Sequence, residues 1–203
     1  MNKRRKVPVA PYAVVSPAFC PGAEATQSGF IVFNDSRVHQ VNHLESGLTR
    51  VVTYFPNGAR HIKTYFAGLV ALENQSAGIV HKPRSDLTPL LMLSTGATFT
   101  FSLDVSYRDQ PPAVEHIQLT VEKRKTQKFG PCQFEVLEIE CRMAFDDQAM
   151  QFTHVAVYSP LLRYVLAMRF AKHGTATAVP QFAPLHSRDR LLAHIRKEHA
   201  QDA

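Results

Sequence analysis

The sequence has no tryptophan, only three cysteines among its 203 residues, and nowhere a run of about 18 or more apolar residues. Because a helix needs roughly 20 apolar residues to cross a bilayer, the sequence predicts no transmembrane helix. Its cysteines and histidines do not stand at zinc-finger spacing, and no serine or cysteine stands in a nucleophile elbow beside a glycine-rich turn. We therefore expect no metal site, no cofactor and no enzymatic activity.

Positive charge is concentrated at the start of the chain. Residues 1–6, MNKRRK, carry four of the charges behind the net +6, so only +2 belongs to the remainder. A basic cluster followed by VPVAPYAVVSPAF is compatible with an export signal, a solvated cytoplasmic tail or a nucleic-acid-binding arm. Because small residues follow the apolar stretch, we favour export to the periplasm over a cytoplasmic location. The sequence thus predicts a targeting or flexible segment over residues 1–28 and a single β-rich domain over 29–203.

Alternating apolar and polar residues predict strands through most of that domain. The strictest alternation is FTFSLDVSY at 99–107, a hairpin is predicted over 48–66 around Pro56-Asn57-Gly58, and a three-strand meander over 130–170. Residues 74–85 are predicted as a polar loop and 87–96 as an irregular segment covering the core. We expect a mainly β fold, an antiparallel curved sheet or half-barrel of roughly eight to ten strands with a short C-terminal helix beginning near Ser187.

The alternation slips within the meander. Phe134 and Val136 share one parity, whereas Leu137, Ile139 and Cys141 share the other. Either both faces of this strand are covered, or a β-bulge near Val136 and Leu137 turns the side chains over.

The three cysteines have different predicted environments. Cys132 and Cys141 lie nine residues apart on one predicted strand, so their Cα atoms would be roughly 30 Å apart, beyond disulfide reach. Cys141 shares its face with apolar residues and is predicted to be a buried free thiol. Cys132 follows a turn and is a candidate to pair with Cys20 if the protein matures in an oxidising compartment.

Two polar patterns support weaker hypotheses. His39 and His43 have the i, i+4 spacing of helical metal ligands, but on an extended strand they would lie roughly 13 Å apart, so we expect no metal there. The basic stretch Lys123 to Lys128, followed by Phe129, is compatible with nucleic-acid binding or with a solvated strand end.

Three segments, in this order, resemble a bacterial family of exported proteins of unknown function called TapB-like, related in style to the lipoprotein-carrier half-barrels. They are Pro89-Leu90 through Gly96 to Phe99; then Gly130, Phe134, Val136 and Ile139; then Tyr158-Ser159-Pro160 with Leu161 and Leu162. The resemblance spans about residues 30–195. It implies a fold and a periplasmic setting, and it implies no activity.

The apolar faces of the predicted sheet suggest a function. We hypothesise a non-catalytic cell-envelope protein whose concave face binds an apolar small molecule or lipid, or a segment of an envelope protein. The same stripes would equally form a closed core. The alternatives are a nucleic-acid-binding protein using Lys123 to Lys128 and a cytoplasmic structural protein. The candidate ligand-binding residues are Phe99, Phe101, Leu103, Tyr107, Tyr158, Tyr164, Leu166 and Met168.

Overall fold

A computed structural model describes residues 19–34, 37–108, 110–146, 148–170 and 180–202. It confirms a mainly antiparallel β fold with one short C-terminal helix. The strands are β1 Phe30–Asn34, β2 Arg37–His43, β3 Leu48–Tyr54, β4 Arg60–Phe66, β5 Val70–Asn74, β6 Ile79–Pro83, β7 Thr98–Ser106, β8 Ala113–Phe129, β9 Cys132–Phe145, β10 Gln148–Ser159, β11 Tyr164–Phe170 and β12 Gln181–Pro184. The α-helices are α1 Ala25–Ser28 and α2 Arg188–Asp202, and 3-10 turns span Glu45–Gly47, Thr88–Leu91 and Leu185–Ser187.

One open sheet contains all twelve of these strands, two more than the upper end of the predicted number. Its order is β11-β10-β9-β8-β7-β6-β5-β4-β3-β2-β1-β12, and every neighbouring pair is antiparallel. The predicted loop at 74–85 was wrong, because β6 lies within it and pairs with β7. The short strand β12, which precedes the C-terminal helix, pairs with β1. Both strands are short and are specified by their partners, not by a long alternating pattern of their own.

The slipped alternation in the meander reflects the burial of both faces of β9. Val136, Leu137, Glu138 and Ile139 are all buried, with Phe134 and Val136 in one core and Leu137 and Ile139 in another. The register between β8 and β9 shifts between Val121 and Lys123, so the irregularity lies in β8 and not near Val136.

Three apolar clusters form the interior. The first core lies on one face of β7 to β10 and includes Leu103, Val105, Leu137 and Ile139, with Leu87 and Leu90 of the predicted covering segment. The second core lies on the other face of β9, where Phe134 and Val136 pack with residues of β1 to β3. The third core lies between β1, β2 and β12 and helix α2. Leu191, Leu192 and Ile195 of α2 are buried in this core.

The start of the described chain is tied to the second core. Cys20 and Cys132 form a disulfide whose Cα atoms are 5.4 Å apart, and Ala25 of α1 is buried in the same core. Cys141 is a buried free thiol, as expected, and its burial raises the pKa to about 12. Residues 1–18 of the predicted targeting segment lie outside the described residues, so the boundary near residue 28 stays a prediction. In the described part of the chain, no helix is long and apolar enough to cross a membrane.

Candidate ligand-binding cavity

The eight predicted ligand-binding residues do not form one surface. Phe99, Phe101, Leu103 and Tyr158 belong to or pack on the first core, whereas Tyr164 and Leu166 belong to or pack on the second. Tyr107 and Met168 are 38% and 36% exposed. Only Tyr164 and Met168 of this set line the cavity described below.

A cavity of about 310 Å³ lies between strands β2 to β4 and the edge strand β11. Its lining is mixed, with cations, neutral polar groups and apolar side chains. The lining residues are Arg37, His39, Thr49, Val51, Thr53, Phe55, His61, Lys63, Tyr65, Gly68, Leu69, Tyr164, Val165 and Met168.

The strand register places one wall of this cavity. Cross-strand neighbours share a face of a sheet, and His39, Thr53 and His61 are neighbours across β2, β3 and β4. Val51 is opposite Lys63 in the same way. Alternation along residues 48–55 puts Thr49, Val51, Thr53 and Phe55 on one face of the sheet. Sequence reasoning missed His39, His61 and Lys63, although polar residues at alternate positions beside a buried strand were an available signal.

His39 is the most perturbed group in the wall. Its Nδ1 atom lies 3.2 Å from Thr53 Oγ1. Burial, and then the positive charges of Arg37 and Lys63, lower its pKa from 6.5 to about 4. His39 is therefore neutral near pH 7 and acts as a hydrogen-bonding group.

Two tyrosines add hydroxyl groups to the lining. Burial raises the pKa of both Tyr65 and Tyr164, and for Tyr164 the neighbouring Tyr65 raises it further, so both are neutral hydroxyls. The Tyr164 ring meets the His39 ring edge-on at 6.5 Å and the Phe30 ring at 6.3 Å. Among the described residues, neither hydroxyl has a hydrogen-bond partner. Each is available to a bound molecule or to water.

A close contact between two turns holds β11 against β4. Gly68 has φ of +71°, and a Cβ there would lie 1.8 Å from the carbonyl oxygen of Arg163. Ala67 and Arg163 also have positive φ, at 51° and 41°, which is unusual for residues with a side chain. The buried Tyr158 hydroxyl donates to the Ala67 carbonyl at 2.7 Å. Strained backbone kept by its surroundings often marks a functional site, and here it borders the cavity.

The structure also shows the surroundings of the two other polar patterns, the histidines His39 and His43 and the basic stretch Lys123 to Lys128. His43 Nδ1 lies 3.2 Å from Thr49 Oγ1, so His39 and His43 each contact a threonine. No three metal-ligating side chains come together among the residues that the structure describes. In the basic stretch, Lys123 and Lys125 both pair with the buried carboxylate of Glu138, at 2.9 and 2.6 Å, and Arg124 pairs with Glu135.

Sequence reasoning also missed a polar row across β7, β8 and the end of β9. Ser102 Oγ lies 2.8 Å from His116 Nδ1, and His116 Nε2 contacts a carboxylate oxygen of Asp146. These residue types also occur in serine hydrolases, but His116 and Asp146 are 46% and 61% exposed here. The row lies on the outer face of the sheet and does not line the cavity.

Comparisons with known proteins give a similarity of shape to solved structures. No family model matches the chain, and no curated protein matches it. Among solved structures, the chain is similar to the hypothetical lipoprotein YmcC from Escherichia coli (K12). The two share 11% sequence identity over 86% of this chain and 94% of that one, with a TM-score of 0.49. The resemblance to the TapB-like family stays a prediction.

Proposed function

We propose that this protein is a non-catalytic binding protein of the cell envelope, which holds a small organic molecule in the cavity between β2 to β4 and β11. The cavity itself is the observation that carries the proposal. Its volume of about 310 Å³ lies at the lower end of the range for small-molecule sites. Such sites combine apolar walls with a few convergent polar groups, which is the composition seen here.

The polar lining supports a binding site over a packing defect. Protein interiors are close-packed, so a void lined by hydroxyl groups and cations differs from ordinary core packing. Here the hydroxyls of Tyr65 and Tyr164 border a void and have no partner among the described residues. A ligand with hydrogen-bonding atoms would satisfy them, and its apolar part would contact Val51, Leu69 and Val165.

The cysteines support the envelope as the working compartment. Disulfides persist in oxidising compartments and are rare in the reducing cytosol. The Cys20–Cys132 bond fixes the chain near residue 20 to the second core. The alternative of a cytoplasmic structural protein predicts free thiols at both positions.

Binding without catalysis fits the groups that line the cavity. Among the described residues they are hydrogen-bonding groups, cations and apolar side chains, and none is a cysteine or a serine. Cys141, the free thiol, is buried elsewhere and its raised pKa keeps it protonated. The alternative of nucleic-acid binding has less support, because Lys123, Arg124 and Lys125 are paired with carboxylates.

Two neighbouring substitutions on β3 test the proposal. Val51 lines the cavity, whereas the adjacent Val52 points to the opposite face of the sheet. The neutral dye N-phenyl-1-naphthylamine is titrated into the wild-type protein and into Val51→Phe and Val52→Phe, with circular dichroism to verify the fold of each variant. Native mass spectrometry of wild-type protein purified from a bacterial envelope fraction looks for a retained molecule.

We expect the wild-type protein to bind the dye with a dissociation constant on the order of micromolar. Val51→Phe fills part of the cavity and should weaken binding by at least about tenfold, whereas Val52→Phe should change it less than about twofold. Absence of dye binding and of any retained molecule would refute the proposed function. Equal weakening by the two variants would place the dye outside the cavity and would refute it as well.

A further inference from the structure

The charged side chains among the described lining residues are cations. Arg37 and Lys63 both line it, and both act on His39 strongly enough to lower its pKa. None of the fourteen lining residues is an aspartate or a glutamate. The positive charge of Lys63 therefore acts on the His39 side of the cavity, and none of the described lining residues is a carboxylate that would cancel it.

Lys63 is the clearest part of this arrangement. It is half-buried on β4, opposite Val51 in the same wall of the cavity. Within the described ranges, no carboxylate lies within ion-pair distance of its ammonium group. Lys125, another half-buried lysine of the sheet, differs from Lys63 because it forms an ion pair with Glu138 at 2.6 Å. A half-buried cation beside a cavity favours an anionic occupant, because the partial loss of water strengthens the attraction.

The remaining lining defines the rest of the molecule. Val51, Phe55, Leu69, Val165 and Met168 form an apolar surface next to the cations. The lining also holds neutral donors, namely Thr53 and the tyrosine hydroxyls. This combination of groups is complementary to an amphipathic molecule with a charged end and an apolar body.

We propose that the ligand of this cavity is a small amphipathic anion, whose carboxylate, phosphate or sulfonate group pairs with Lys63 at the side bordered by Arg37 and whose apolar body lies against β11. This inference rests on the proposed function and narrows it to one chemical class. A cationic or a purely apolar ligand would leave the Lys63 ammonium without a counter-charge in a partly dry site.

Two dyes that differ by one charged group test the inference. 8-Anilinonaphthalene-1-sulfonate has the same ring system as N-phenyl-1-naphthylamine and adds a sulfonate. Both are titrated into the wild-type protein, Lys63→Met and Lys128→Met. Methionine keeps most of the length of the lysine side chain without its charge. Lys128 is an exposed residue of β8 outside the cavity, so its variant removes the same net charge elsewhere.

We expect the anionic dye to bind the wild-type protein at least about tenfold more tightly than the neutral dye. Lys63→Met should remove about tenfold from the affinity for the anionic dye and leave that for the neutral dye within about twofold. Lys128→Met should change neither. Equal affinities for the two dyes, or equal effects of the two substitutions, would overturn the anionic ligand class while the cavity remained a binding site. Failure of both dyes to bind would refute the binding function itself.

Discussion

Substitution of Gly68 by alanine tests the contact that forms the cavity. Gly68 and Gly58 both have positive φ, at +71° and +86°, so an alanine at either position adds roughly 1–2 kcal/mol of backbone strain. They differ in their surroundings. A Cβ at Gly68 would lie 1.8 Å from the Arg163 carbonyl oxygen, whereas a Cβ at Gly58 meets nothing within 4 Å. The turn at Arg163 must therefore move in Gly68→Ala.

That movement has a calculable cost. It would separate the Tyr158 hydroxyl from the Ala67 carbonyl, and an unmade buried hydrogen bond costs about 1–3 kcal/mol. Leu162, beside Arg163, is fully buried, so the turn has little room to shift. We expect Gly68→Ala to lower the free energy of unfolding by at least ~3 kcal/mol and Gly58→Ala by ~1 kcal/mol, measured by urea denaturation. Equal losses in the two variants would show that the approach of the two turns does not stabilise the fold.

Three further predictions follow from buried or covalently linked groups. Because the Cys20–Cys132 bond closes a loop with a sequence separation of 112, its reduction should lower the unfolding free energy by about 3–5 kcal/mol in urea denaturation; an unchanged midpoint would contradict the pairing. Glu138 is 3% exposed, and the cations around it lower its pKa to about 2 although its burial acts to raise it. Glu138→Gln should therefore lower the free energy of unfolding by ~2 kcal/mol, and the exposed Glu135→Gln by less than ~0.5 kcal/mol. Similar losses in the two variants would show that the ion pairs of Glu138 are solvated. Because burial lowers the pKa of His39 from 6.5 to about 4, its contribution to stability is complete above pH 6.5 and falls by up to ~3 kcal/mol as the pH drops towards 4. In His39→Gln, the urea midpoint should change less between pH 6.5 and pH 4 than it does in the wild-type protein. An equal pH dependence in the two proteins would contradict the assignment of this effect to His39.

The local pattern of the sequence predicted the parts of the fold that depend on neighbouring residues. Strict alternation identified β7, the turn at Pro56-Asn57-Gly58 identified the β3–β4 hairpin, and parity placed Cys141 in the interior. The short strands β6 and β12 could not be found in this way, because their hydrogen bonds depend on partners that the pattern does not name.

The cavity could not be predicted from the sequence, for a related reason. It forms where β11 approaches β4, two strands about a hundred residues apart in the chain, and pattern reasoning does not specify contacts of that range. The apolar stripe of β7 was taken as a possible binding face, but Phe101 and Leu103 belong to the first core. The cavity lining includes His39 and Lys63, and polar residues at such positions resemble a solvated face until the opposite wall is known.

The position of a bound molecule is the most direct test of the central claim. In protein with ¹³C-labelled methionine and valine methyl groups, nuclear Overhauser effects from the aromatic protons of 8-anilinonaphthalene-1-sulfonate would identify the side chains it touches. Met168 and Val51 lie on opposite walls of the cavity, whereas Met92, 83% exposed, is an apolar surface group outside it. The cavity site predicts contacts to Met168 and Val51 together and none to Met92. Contacts to Met92 without those to the two walls would contradict it.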